Sequence, residues 1–216
     1  MEEKKDRLIN YNFFHWGPLL YQTKLTEEEL NAVKKLCSKE GRDYRQNLAG
    51  LLKHEHEMDV KKLFPIIAPY INSYCQAYVD YSGKVLYNKV ELVTAWVNYM
   101  TKGEANPLHT HDDDLSFVLF TEIPKGLLKE YENHVGNTKP GLINFIYTLE
   151  DRKELLNEHS FFPTAGSLFI FPACLHHYVN PFRCEGERVS VSGNLTNTFV
   201  KQNLVEPLVT SGIKSM

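Results

Sequence analysis

Beyond residue 90 the chain is divided into apolar runs rich in β-branched and aromatic residues, each bounded by Gly, Pro, Asn or Asp. They are Val90–Met100, Leu115–Ile123, Gly141–Thr148, Gly166–Pro172 and Arg188–Leu195. Runs of this length and composition are strands, and several in succession with turn residues between them close into an antiparallel barrel or sandwich. Upstream the pattern changes to helix. Thr26-Glu27-Glu28-Glu29 is a capping box, Leu30, Val33 and Leu36-Cys37 follow at helical spacing, and Gly41 stops the run. A second amphipathic helix is expected across Val60–Val79, with Leu63, Ile66, Ile67, Tyr70, Ile71 and Tyr74 as its stripe. Pro65 and Pro69 argue for a later start to it. The stretch from Pro124 to Lys139 has little periodicity and is expected to be an excursion over the barrel mouth.

The 216 residues, 43% hydrophobic and 12% aromatic, suffice for one well-filled core. The expectation is a single domain over 1–216, with helical support over about 1–85, a barrel core over about 86–200 and a tail over 201–216. A net charge of −3 offers no basic footprint for nucleic acid. No apolar run approaches the ~18 residues of a membrane span, and the charged segment from Met1 to Arg7 lacks the apolar stretch of a signal peptide. A cytoplasmic location is the expectation. Cys37, Cys75, Cys174 and Cys184 have no CxxC spacing, so reduced thiols are expected rather than a disulfide framework or zinc ribbon.

Two histidine clusters stand at strand ends. The first is Asn106-Pro107-Leu108-His109-Thr110-His111-Asp112-Asp113-Asp114, just before the strand at Leu115. The second is Phe171-Pro172-Ala173-Cys174-Leu175-His176-His177-Tyr178-Val179-Asn180-Pro181. Imidazole and carboxylate together suit a non-haem Fe(II) site with one face left open. Residues two apart in an extended segment point the same way, so an HxD or HxH pair can grip one metal, with a third ligand from a neighbouring strand. A solvated polar turn is the alternative for the first cluster. The third element is Arg188-Val189-Ser190-Val191-Ser192-Gly193-Asn194, whose alternation separates Arg188, Ser190, Ser192 and Asn194 from Val189 and Val191. If the polar face looks inward, Arg188 is buried and needs an anion, which a dicarboxylate would supply. If the valines look inward, Arg188 is merely exposed. His54-Glu55-His56 reads as helix, where i and i+2 do not share a face, and His15, His134 and His159 lack a partner pattern.

This order of elements resembles the Fe(II)/2-oxoglutarate oxygenase superfamily, its prolyl-4-hydroxylase-like branch, and within it the largely uncharacterised members of phages and bacteria. The matching features are Trp96-Val97-Asn98, Gly103, the HxH segment with Leu115-Ser116, the Phe-Pro-x-x-Leu-x-His-x-Val-x-Pro segment, and Glu187 through Asn194. They cover roughly residues 90–195, and Arg45-Gln46-Asn47-Leu48-Ala49-Gly50 also looks like the phage members.

The resemblance implies a double-stranded β-helix, or jelly-roll, barrel of cupin-like form. It also implies a dioxygenase that uses Fe(II), 2-oxoglutarate and O₂ to hydroxylate an unidentified substrate, a peptidyl side chain or a small molecule. His177 matches the distal metal histidine, Arg188 the arginine that pairs with 2-oxoglutarate, and Ser190 its hydroxyl partner. Asn98 and Tyr99 are expected to line the cosubstrate pocket. The proximal ligands read in two ways. His111 and Asp113 form an HxD pair, whereas counting from Gly103 places the ligands at His109 and His111. The carboxylate reading is preferred because one anionic ligand partly neutralises Fe(II). The alternatives are a cupin-like metalloenzyme without 2-oxoglutarate, or a non-catalytic jelly-roll binding module.

Overall fold

The computed structural model describes residues 17–87, 89–147 and 157–198, so His15 and the expected tail at 201–216 lie outside the described residues. The described residues begin with strand β1 (Tyr21–Lys24), helix α1 (Glu27–Leu36), strand β2 (His54–Glu57) and helix α2 (Val60–Ser82). The capping box forms as read: Thr26 Oγ1 accepts from the Glu29 amide, and the Glu29 carboxylate accepts from the Thr26 amide. Asp59 caps α2 by accepting from the Lys61 and Lys62 amides. The helix therefore starts at Val60 and runs through both prolines, contrary to the later start expected. Pro65 and Pro69 are four residues apart on the exposed face, so the carbonyls they leave unpaired can be hydrated.

The remaining strands are β3 (Val90–Met100), β4 (Asn106–His109), β5 (Leu115–Glu122), β6 (Ile143–Ile146), β7 (Glu158–Phe161), β8 (Ser167–Pro172), β9 (His176–Val179) and β10 (Arg188–Asn197). They form two antiparallel sheets. A six-stranded sheet has the order β1-β8-β5-β10-β3-β2, and a four-stranded sheet the order β4-β9-β6-β7. This is a double-stranded β-helix, mainly β with flanking helices. Among the described residues, no helix is long and apolar enough to cross a membrane.

Strand alternation gives the larger sheet two different faces. Val97, Leu119, Ile170, Val189 and Val191 pack against Leu63, Ile67, Ile71 and Tyr74 of α2 in one core. On the other face Val118, Phe120, Phe169 and Phe171 meet Ile143, Phe145 and Val179 of the smaller sheet in a second core. The Pro124–Lys139 stretch holds a short helix, α3 (Leu127–Asn133), whose Leu127 is wholly buried in that second core.

The segment His54-Glu55-His56 is a strand, not a helix. It is β2, an edge strand in register with β3 through Glu55↔Asn98 and His56↔Val97. Four residues of alternating His and Glu fit a strand with one buried face, and only Glu55 turns to the buried side.

Two substitutions on α2 should have opposite signs. Ile67→Ala empties a fully buried site and should destabilise by about 2–5 kcal/mol. Pro69→Ala restores a backbone donor on the exposed face, where proline is about 3 kcal/mol less favourable than alanine, and should raise stability. Urea midpoints of the two variants against wild type check both signs.

Candidate metal centre

Strands β4 and β9 pair so that His109 stands directly opposite His177. The chain then leaves β4, and the His111 amide donates to the Ala173 carbonyl at 2.9 Å, which pins His111 beside the other two rings. Ring centroids are 4.2 Å apart for His109 and His177, and 5.1 Å for each of the other two pairs. The ligating nitrogens of the three all lie within 4.8 Å of one another. Nδ1 of His109 lies 2.7 Å from the Pro107 carbonyl, and Nδ1 of His177 lies 2.9 Å from the Leu175 carbonyl. A carbonyl only accepts, so each Nδ1 carries the proton and each Nε2 keeps its lone pair for a metal.

Burial keeps these rings neutral. It lowers His177 to about 3, with the charges of its histidine neighbours adding to the effect. Burial and then His109 lower His111 to about 4, and burial lowers His109. Neutral imidazole is the form that binds metal, so the cluster fits a divalent ion without first losing protons.

Asp113 is not brought into this group. It sits half-exposed in the bend 112–114, outside the histidine cluster and the cavity lining. The bend instead serves the frame: the Asp114 carboxylate accepts from the Asn197 amide at 2.7 Å, fixing the start of β5 to the end of β10. His176 is half-buried on the face of β9 opposite His177.

The histidines line a cavity of about 230 Å³ between the sheets, whose far wall carries Asn98, Arg188, Ser190 and Ser192. The polar face of β10 thus looks inward, and Val189 and Val191 face the helices. Arg188 is 3% exposed. Its Nη1 donates to the Gly141 carbonyl at 3.3 Å, its Cζ lies 5.3 Å from the Phe120 ring centre, and its Nε has no partner. No carboxylate of a described residue pairs with it, and desolvation lowers it to about 9. Asn98 Nδ2 donates to Ser190 and Ser192 Oγ at 3.4 and 3.3 Å.

Tyr99, expected in the cavity, is on the opposite face of β3. It pairs with Val189, its ring meets His56, and it belongs to the helix-side core. Alternation makes Asn98 and Tyr99 mutually exclusive as lining residues. Glu55 does line the cavity and was missed. The two-residue period of His54-Glu55-His56-Glu57 was the available signal.

Residues 94–194 match the family described as "Putative 2OG-Fe(II) oxygenase". This segment is a 2OG-Fe(II) oxygenase domain. It carries an enzyme of that class, with iron(II) and 2-oxoglutarate as cofactor and cosubstrate, and the three neutral imidazoles and the buried guanidinium, which no carboxylate of a described residue pairs, fit those two groups. Among solved structures, the fold is similar to that of a Pseudomonas putida prolyl-4-hydroxylase, at 15% identity and a TM-score of 0.53 over 83% of this chain and 93% of that one. It is also similar to the viral collagen prolyl hydroxylase vCPH of Paramecium Bursaria Chlorella virus-1, solved as a 2OG complex, at 12% identity and a TM-score of 0.51 over 82% and 94%. HygX of Streptomyces hygroscopicus, solved with iron bound, matches at 11% identity and a TM-score of 0.50 over 85% and 83%. At these identities the likeness shows the fold. No curated protein matches the chain.

The lowered histidines make the metal-free protein acid-sensitive. Above the ordinary histidine range of about 6.5 both states hold neutral rings. As pH falls below it, the unfolded chain takes up protons that His111 and His177 refuse until about 4 and 3. Urea stability of the metal-free protein should therefore fall from pH 7 toward pH 4, and His177→Gln should flatten that slope. An unchanged slope would contradict the buried neutral ring.

Proposed function

We propose that the chain is a hydroxylase that converts 2-oxoglutarate to succinate while oxidising a C–H bond of a small molecule or side chain. His109, His111 and His177 hold the iron, and Arg188 with Ser190 holds the far carboxylate of 2-oxoglutarate. The observation that carries this reading is Arg188, a buried guanidinium that no carboxylate of a described residue pairs, in one cavity with three neutral imidazoles. A buried charge without a counter-charge is strongly unfavourable, and a dicarboxylate supplies the missing one through a paired hydrogen-bond geometry. Asn98 prepares the partner hydroxyl: by donating to Ser190 Oγ it leaves the serine proton free to point at the carboxylate. When bound, iron(II) with 2-oxoglutarate and O₂ supplies the oxidising chemistry, with CO₂ and succinate as co-products. The aromatic walls, Phe117 and Phe171 among them, exclude water from the reacting centre.

Loss of Arg188 separates this reading from any other metal barrel. A charge-assisted pair contributes roughly 1.5–3 kcal/mol, and stripping one partner from a buried pair costs about 3–5. Arg188→Met should keep metal but bind 2-oxoglutarate roughly ten- to a thousand-fold more weakly, read anaerobically from the metal–2-oxoglutarate charge-transfer absorbance. No such band in wild type, or equal affinity in the variant, would overturn the reading and favour a three-histidine metalloenzyme that does not use 2-oxoglutarate.

The ligand set has its own test, by equilibrium dialysis with Mn(II) as the stand-in. His109→Ala and His177→Ala should abolish stoichiometric binding, whereas Asp113→Ala and His176→Ala should have little effect. If Asp113→Ala proves the more damaging of the first-cluster variants, the carboxylate reading returns.

A further inference from the structure

The cavity wall carries one charged group that cosubstrate binding leaves unused. Glu55 on β2 is in register with Asn98 on β3, and Asn98 with Ser190 on β10, so the three side chains form one row across the cavity side of the sheet. Glu55 is 1% exposed, and its Oε2 has no hydrogen-bond partner. The cation that acts on it, Arg45, is already paired with Asp43 at 2.6 Å. The covering chain lies directly on the carboxyl: a Cβ added at Gly50 would stand 2.5 Å from Glu55 Oε1. Two other buried atoms of the cavity lining lack partners, Oδ1 of Asn98 and Oδ1 of Asn106.

With Glu55 ionised, all three of these unpaired atoms are acceptors. The unpaired donor of the cavity, Arg188 Nε, is two strands from Glu55 and is assigned to the cosubstrate. Buried acceptors are strongly unfavourable when left without donors, so the group that completes this end of the cavity must bring N–H or O–H groups. The carboxyl adds a preference for positive charge. Burial raises Glu55 to about 7, against the opposing pull of Arg45, and a cation beside it would restore the ionised form. Size limits the visitor further. At about 230 Å³ the cavity is smaller than the ~300–1,000 Å³ usual for ligand pockets, so beside the cosubstrate it admits a slender arm rather than a bulky body.

Resting on the cosubstrate assignment above, we infer that Glu55 selects the prime substrate, and that the substrate presents to it a protonated amine or guanidinium on a slender chain. Two cations, agmatine and cadaverine, are suitable probes, with uncharged 1-pentanol as the control. Each is titrated calorimetrically into wild type, Glu55→Gln and Glu55→Asp, both metal-free and loaded with Ni(II) and 2-oxoglutarate. At least one cation should bind wild type, bind Glu55→Gln at least ten-fold more weakly, and recover part of its affinity in Glu55→Asp. Pentanol should not distinguish the three proteins. Equal cation affinity in wild type and Glu55→Gln, or no binding of either cation to wild type, overturns the inference. Circular dichroism and an intact charge-transfer band confirm that Glu55→Gln is folded with its cosubstrate site formed. If wild type itself lacks the band, the cosubstrate assignment fails, and the metal-free titrations still decide the role of Glu55.

Discussion

Strand β10 has to satisfy two opposite environments with alternate residues, and the site depends on its doing so. It lies between β3 and β5, so both of its edges are paired and its register is fixed from two sides. Val189, Val191 and Leu195 fill the core beneath the helices, while Arg188 and Ser190 enter the cavity. A slip of one residue would exchange the sets, placing the guanidinium against α2 and valines where an anion should bind. Gly193 helps hold the register. A Cβ there would stand 2.6 Å from both a Phe117 ring carbon and the Thr94 carbonyl oxygen, so the neighbouring strand and ring can close in only on glycine. Catalytic placement and core packing are therefore one constraint on one strand.

The cavity also separates two kinds of base. Arg188 and the histidines are all desolvated, yet the consequences differ. An arginine lowered to about 9 is still a cation at neutral pH, whereas histidines lowered to about 4 and 3 are fully neutral. Burial alone thus yields a fixed positive charge on one wall and three neutral donors on the other. A divalent metal held by three neutral ligands keeps its whole charge, and Arg188 adds another. Such a cavity favours an anionic chelator more strongly than one with a carboxylate ligand would. The proposed all-histidine face and the buried arginine are electrostatically consistent with each other.

Much of this was legible in the chain because strand period and turn residues are local signals. The extent of β3, the start of β10, the capping box of α1 and the separation of Arg188 and Ser190 from Val189 and Val191 all follow from spacing that survives folding, whereas which of the two faces looks inward does not. His109, His111 and His177 were all singled out, but the choice between His109 and Asp113 could not be made from spacing. The proposal of His109 rests on where β5 begins: with Leu115 as its first residue, Asp113 stays in the bend before the strand, outside the cavity lining. Tyr99 adjoins Asn98 in sequence, but strand alternation sends it to the helix-side core. Glu55 was hidden because four residues are too few to show whether His-Glu-His-Glu is strand or helix. Pairing with β3 decides that, and pairing is a long-range fact.

The wall that carries Glu55 is not free to move independently of the histidines. Glu104, itself buried, accepts from the Lys53 amide with one oxygen and from the Thr101 amide and hydroxyl with the other. The Leu51 amide donates to the Ala105 carbonyl. The segment that covers Glu55 is therefore tied to the turn from which β4 departs, and β4 delivers His109. Three hydrogen bonds converge on this one buried side chain. Through Glu104 the side of the cavity assigned to the prime substrate and the side assigned to the metal share one support, so their separation is set by the frame and does not have to be established anew when a substrate arrives.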